Sequence, residues 1–190
     1  MQSSPSEYPV RREDSVLLVV DIQEKLAAVM SDGDRSIVCA NTSRLVEGCS
    51  VFGIPVTVTE QYSKGLGSTV GEIFLPDSIS RFEKITFDAL AEKSVFDHLS
   101  SSGRRTVIVA GMEAHICVFF TAMSLLSKGF HVAVAADAVC SRDVKNRDMA
   151  LLQLRHSGAL VLPTETILFS LAERGGSDQF RKISALVKRL

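Results

Sequence analysis

The sequence predicts an α/β fold of three layers, with helices on both faces of a doubly wound, mostly parallel sheet of about six strands. Three observations carry this. Short apolar runs recur at regular intervals without polar alternation, which implies strands buried on both faces. Segments of helical period lie between them. Glycines close those segments, as helix C-termini require.

The first run, Ser15 to Val20 (SVLLVV), is a strand by its length and β-branched content, and it ends at Asp21. The spacing places further strands at Ile54 to Thr59, Thr106 to Ala110, His131 to Ala135 and Ala159 to Leu162, with a weaker one at Arg81 to Ile85. Asp34 to Phe52 carries apolar residues at 37, 38, 45, 46, 49 and 52, the spacing of one helix face, and stops at Gly53. Ala89 to Leu99 closes in a serine-rich turn at Gly103, Cys117 to Leu126 at Lys128-Gly129, and Arg142 to His156 before Gly158. The stretch from Gln61 to Ser80, rich in Gly and Ser, reads as the one long irregular connection. Long loops in small domains are often functional.

A chain of 190 residues, 46% hydrophobic and 23% charged, fits one globular domain. We divide it into a flexible leader (1–13), the domain proper (14–172) and a helical tail (173–190) packed on the domain or on a neighbouring subunit. With 21 basic against 22 acidic residues, the chain lacks the cationic excess of a nucleic-acid binder. The basic tail RKISALVKRL reads as a solvated helix face. No apolar run approaches the roughly 20 residues of a membrane helix. The four cysteines, Cys39, Cys49, Cys117 and Cys140, form no CxxC and no Cys/His cluster, so neither a zinc finger nor a redox dithiol is expected. Free thiols and a leader with no secretory pattern suit the cytoplasm; a mitochondrial address is the weaker alternative, because the first fourteen residues hold three acids.

In open parallel sheets, ligands bind beyond the carboxyl ends of the strands. Three reactive side chains stand at or beyond predicted strand ends: Asp21 after the first, Lys84 near the end of the weak one and Cys117 after Thr106 to Ala110. Each has a plain reading as well. Asp21 is placed to cap a helix, Lys84 to face solvent, and Cys117 to fill core space. Together they make chemistry. A carboxylate accepts and returns the thiol proton, and an ammonium stabilises the thiolate. A cysteine opening a helix also feels the positive end of the helix dipole, so its pKa is expected to fall from about 8.5 toward about 6.

The segments LLVVDIQ (17–23), TEQYSKGLGSTV (59–70), FEKITF (82–87), AGMEAHICVFFTAMSLLSKGF (110–130) and ADAVCSR (136–142) resemble the isochorismatase-like cysteine hydrolases, closest to the isochorismatase domain-containing branch, over roughly 14–172. The resemblance implies a Cys-Asp-Lys triad: Cys117 as nucleophile, Asp21 as proton acceptor and Lys84 as cation. It also implies a cis peptide between Met112 and Glu113, with the backbone N–H groups of Glu113 and Cys117 forming an oxyanion hole. Gln23, Gln61, Tyr62, Phe87, His115 and Phe119 are then candidates for the substrate pocket. Nicotinamidases of this superfamily hold a metal with an Asp-x-His motif and a further His. Here that region reads TEQYSKGLG, and His98, His115, His131 and His156 lack the spacing, so no metal and no cofactor are expected. The implied activity is hydrolysis of a small amide-like C–N substrate through a thioester, in a homo-oligomer without nucleic-acid or membrane partners. The competing reading is a catalytically silent scaffold that keeps the fold.

Overall fold

The computed structural model describes residues 9–189; residues 1–8, most of the expected leader, lie outside the described residues. In chain order the elements are β1 (Ser15–Val20), α1 (Glu24–Ala27), α2 (Asp32–Phe52), β2 (Val56–Gln61), α3 (Ser63–Leu66), β3 (Ser80–Lys84), α4 (Lys93–Ser101), β4 (Thr106–Met112), α5 (Phe119–Ser127), β5 (His131–Cys140), α6 (Val144–His156), β6 (Leu160–Leu162), α7 (Thr164–Ala172) and α8 (Asp178–Val187). A 3-10 turn (Ala89–Ala91) precedes α4 and a π-helical turn (Ala114–Val118) precedes α5.

The six strands form one sheet in the order β3-β2-β1-β4-β5-β6, parallel throughout. Two cores sandwich it. Leu17 and Val19 of β1 face the core closed by α2, α7 and α8, while Val16, Leu18 and Val20 face the one closed by α4, α5 and α6. That is why SVLLVV shows no alternation: both of its faces are interior. The chain moves outward from β1 through β2 to β3, then returns to lay β4 on the other side. The carboxyl ends of β1 and β4 therefore flank the point where strand order reverses, the crevice where such sheets bind ligands.

The borders of several elements differ from expectation. β4 runs on to Met112 and β5 to Cys140, with a register shift between Val109 and Gly111 that lets the extra residues pair. β5 tolerates Asp137 because its carboxylate accepts from the Thr164 N–H and hydroxyl, each at 2.7 Å, and so caps α7 where Pro163 cannot. The stretch from Gln61 to Ser80 contains α3 as well as irregular chain. Val10, inside the expected leader, is fully buried, and both its N–H and its carbonyl bond the Ser170 hydroxyl. In the tail, α8 sets Ile183 and Leu186 into the same core as α2 and α7.

Candidate active site

β1 ends in a backbone that few residues adopt. Asp21 has φ +50°, its N–H donates to the Thr59 carbonyl at 3.1 Å, and its side chain is wholly buried. A non-glycine residue held in the left-handed region needs surroundings that enforce it, and such positions cluster at functional sites. Asp21 does not cap a helix. Its Oδ1 accepts from the Thr59 hydroxyl at 2.8 Å, and its Oδ2 lies 2.6 Å from Lys84 Nζ. Oδ2 meets no hydrogen bond of good angle among the described residues, so a lone pair is left for a proton donor.

Lys84, the last residue of β3, is the largest fully buried side chain of the protein's described part. Its ammonium is held by the Asp21 carboxylate at 2.6 Å, Gln61 Oε1 at 2.6 Å and the Thr86 carbonyl at 3.0 Å. An ion pair taken fully out of water survives only with such complete pairing.

Cys117 comes from the third direction, beyond β4. Gly111 makes the approach: its φ is +145°, and a Cβ there would stand 2.1 Å from the Val20 carbonyl, so only glycine lets β4 lie against the end of β1 at this level. The Met112–Glu113 peptide is cis. The chain then enters the π-helical turn, where the Glu113 carbonyl accepts from the N–H groups of Ile116 (3.0 Å) and Val118 (3.3 Å), the neighbours of Cys117. Cys117 is 4% exposed, and its thiol feels the charges of both Asp21 and Lys84.

Its charge state departs from expectation. The Cys117 thiol is pushed up to about 12, first by burial and then by the Asp21 charge, with Lys84 pulling the other way. Two facts account for this reversal. Cys117 is buried, and the ammonium is already matched by the Asp21 carboxylate. The resting site is a neutral thiol beside a buried ion pair. Cys49 and Cys140 are also pushed up to about 12 by burial, and Cys39 is raised.

The other predicted site residues separate into two groups. Gln23 is fully buried and spends its amide on backbone, donating to the Gln61 carbonyl (3.0 Å) and the Gly67 carbonyl (2.7 Å) and accepting from the Gln61 N–H (2.7 Å). Gln61 is buried between Lys84 and the Ile85 carbonyl. Tyr62 and Phe87 are exposed, Tyr62 immediately after β2 and Phe87 three residues beyond Lys84; Phe119 packs edge-on against Phe120, their rings 5.7 Å apart. His115 Nδ1 is 2.9 Å from the Ser141 hydroxyl, and the Glu113 carboxylate accepts from the Arg142 N–H (2.9 Å) and Nε (3.1 Å). The sequence reading missed this last pair of contacts, in which the end of β5 clamps the turn that carries Cys117. The ADAVCSR segment was its only signal.

Five cavities of about 310 to 470 Å³, among them the one beside Phe169 and Phe180, are lined by none of the three central residues. Chemistry rather than size marks the site. Among the described residues, no group of three or more His, Cys, Asp or Glu is placed to hold a metal ion, and no helix is long and apolar enough to cross a membrane.

A six-stranded parallel sheet with helices on both faces is the architecture of an α/β hydrolase domain of the isochorismatase type. The chain belongs to the isochorismatase family: residues 15–166 match the model of the isochorismatase domain. It is 38% identical to the secreted isochorismatase effector Isc1 of Phytophthora sojae, over 92% of this chain and 84% of that protein. It is also 38% identical to isochorismatase domain-containing protein 2 of Danio rerio, over 91% of this chain and 86% of that one. Among solved structures, the MAR1 ribonuclease of Caenorhabditis elegans superposes with a TM-score of 0.86 at 32% identity, covering 94% of this chain and 91% of that one.

Proposed function

We propose that this isochorismatase-family hydrolase cleaves a small amide-like C–N bond through a thioester on Cys117. The observation that carries the reading is convergence. Asp21 from the end of β1, Lys84 from the end of β3 and Cys117 from the turn after β4 meet in one buried cluster.

In this reading no thiolate stands ready. As Cys117 Sγ attacks the substrate carbonyl carbon, its proton passes to Asp21 Oδ2, the oxygen with a free lone pair. The backbone N–H groups of Glu113 and Cys117 hold the oxyanion. The protonated Asp21 gives its proton to the leaving nitrogen, the C–N bond breaks, and an acyl thioester remains. Water then yields a proton to Asp21 while its oxygen attacks the thioester carbon. The C–S bond breaks, the sulfur recovers the proton and the acid departs. The Lys84 ammonium steadies the anionic sulfur and the carboxylate by turns. Tyr62, Phe87, Phe119 and His115 are the side chains that would meet the substrate. The working unit is a homo-oligomer, as the family resemblance implies.

The test is a panel of small amides and carbamates, with isochorismate included because a relative is named for it, and RNA because the worm protein is named a ribonuclease. Turnover of an amide, with an acyl adduct on Cys117 in the intact mass and loss of at least about 10³-fold in Cys117→Ala, is the expected result. Turnover that survives Cys117→Ala sinks the covalent reading. Hydrolysis confined to isochorismate moves the substrate from an amide to a vinyl ether. RNA cleavage is not expected of a chain with 21 basic and 22 acidic residues.

A further inference from the structure

We infer that Gln61 is a positioning residue of this site: its side-chain amide fixes the Lys84 ammonium against the Asp21 carboxylate, and its lack of charge leaves that ammonium active on the sulfur. The inference rests on the catalytic reading above and reassigns a residue that the sequence places in the substrate pocket.

The geometry admits one orientation of the amide. One end of the Gln61 side chain faces the Lys84 ammonium, which only donates; the other faces the Ile85 carbonyl, which only accepts. Oε1 must therefore point to Nζ, 2.6 Å away, and Nε2 to Ile85. The backbone of Gln61 is held as firmly. Gln23 exchanges two hydrogen bonds with its N–H and carbonyl, at 2.7 and 3.0 Å, extending the β1–β2 pairing past the strand end by means of a side chain. Gln61 is 8% exposed, so substrate has little of it to touch.

The ammonium has three N–H bonds, and three acceptors surround it: the Asp21 carboxylate, Gln61 Oε1 and the Thr86 carbonyl. Two of the three are neutral. A single carboxylate leaves Lys84 paired, yet its field still reaches the thiol and works against burial and against Asp21. A second carboxylate at 61 would cancel that field and also set an anionic oxygen against the Ile85 carbonyl. An apolar side chain of similar length would remove one acceptor and let the ammonium swing.

The test compares Gln61→Glu and Gln61→Met with the wild type and with Lys84→Met. Alkylation of Cys117 by iodoacetamide is followed by peptide mass spectrometry from pH 7 to 10, with kcat and KM on whichever substrate the panel yields. Gln61→Glu should slow Cys117 alkylation at fixed pH at least tenfold, in the direction of Lys84→Met. Gln61→Met should lower kcat about tenfold with KM within about twofold. A wild-type alkylation profile in Gln61→Glu, where Lys84→Met changes the profile, overturns the role of Gln61 and leaves the catalytic reading standing. Profiles unmoved in all three variants overturn both. Should the variants fail to fold, the unaltered protein still decides the matter by NMR. Both Gln61 side-chain amide protons should exchange slowly with solvent, and rapid exchange would exclude the locked amide.

Discussion

At the scale of single residues, the site turns on which of two opposing effects controls Cys117. Burial and the Asp21 charge hold the proton on sulfur; the Lys84 ammonium acts to release it, and the first pair wins, leaving the thiol at about 12. An expectation drawn from the helix dipole and a nearby cation has the opposite sign. It counts a cation that the fold has already paired, and it ignores a desolvation that only the tertiary structure reveals. Opposite responses follow for the two neighbours. Asp21→Asn removes a negative charge and a proton acceptor, so the thiol should ionise more readily while turnover is lost. Lys84→Met removes the stabilising cation, so the thiol should ionise less readily and turnover should again fall. A thiol buried for packing alone would answer to neither charge.

At the scale of elements, the fold was legible wherever a strand is covered on both faces, because SVLLVV and TVIVA admit no other placement. Asp21 and Cys117 stood out for the same reason, as reactive side chains beyond such runs, whereas Lys84 ends the half-exposed edge strand β3. The ends of β4 and β5 were not legible, since the pairing of Gly111 with Val139 follows a register shift set by neighbouring strands. The π-helical turn was hidden as well, its apolar pattern being indistinguishable from the α-helix that follows. Asp137 is the clearest case. Read locally, it breaks a strand; in the structure, it caps α7, a helix 27 residues further along the chain whose own N-cap residue is Pro163. Asp137→Ala should therefore cost about 1 kcal/mol, the usual worth of a helix cap, in urea denaturation. Activity should be nearly unchanged, because Glu113, His115 and their partners Ser141 and Arg142 stay in place. A cost below the error of the measurement would deny Asp137 that role.

At the scale of the whole molecule, four buried thiols give the protein a common response to alkali. Cys49, Cys117 and Cys140 hold their protons up to about 12 in the folded chain, against 9.0 for an unperturbed thiol. Above pH 9 the unfolded chain therefore binds fewer protons than the native one, and stability falls as pH rises. The stabilisation is fully present below pH 9 and is lost between 9 and 12. Each thiol contributes on the order of 1.4 kcal/mol per pH unit in that window. Denaturation midpoints taken from pH 8 to 11 should drop steeply, and Cys49→Ala should flatten the slope by about a third while lowering stability at pH 8. A flat profile would show that the thiols titrate freely in the native state. The central claim, that Cys117 is governed by Asp21 and Lys84 as one unit, is tested most directly by its rate of alkylation at pH 8 in the wild type, Asp21→Asn and Lys84→Met. The account predicts a rate about tenfold higher in Asp21→Asn and about tenfold lower in Lys84→Met; equal rates in the three folded proteins would contradict it.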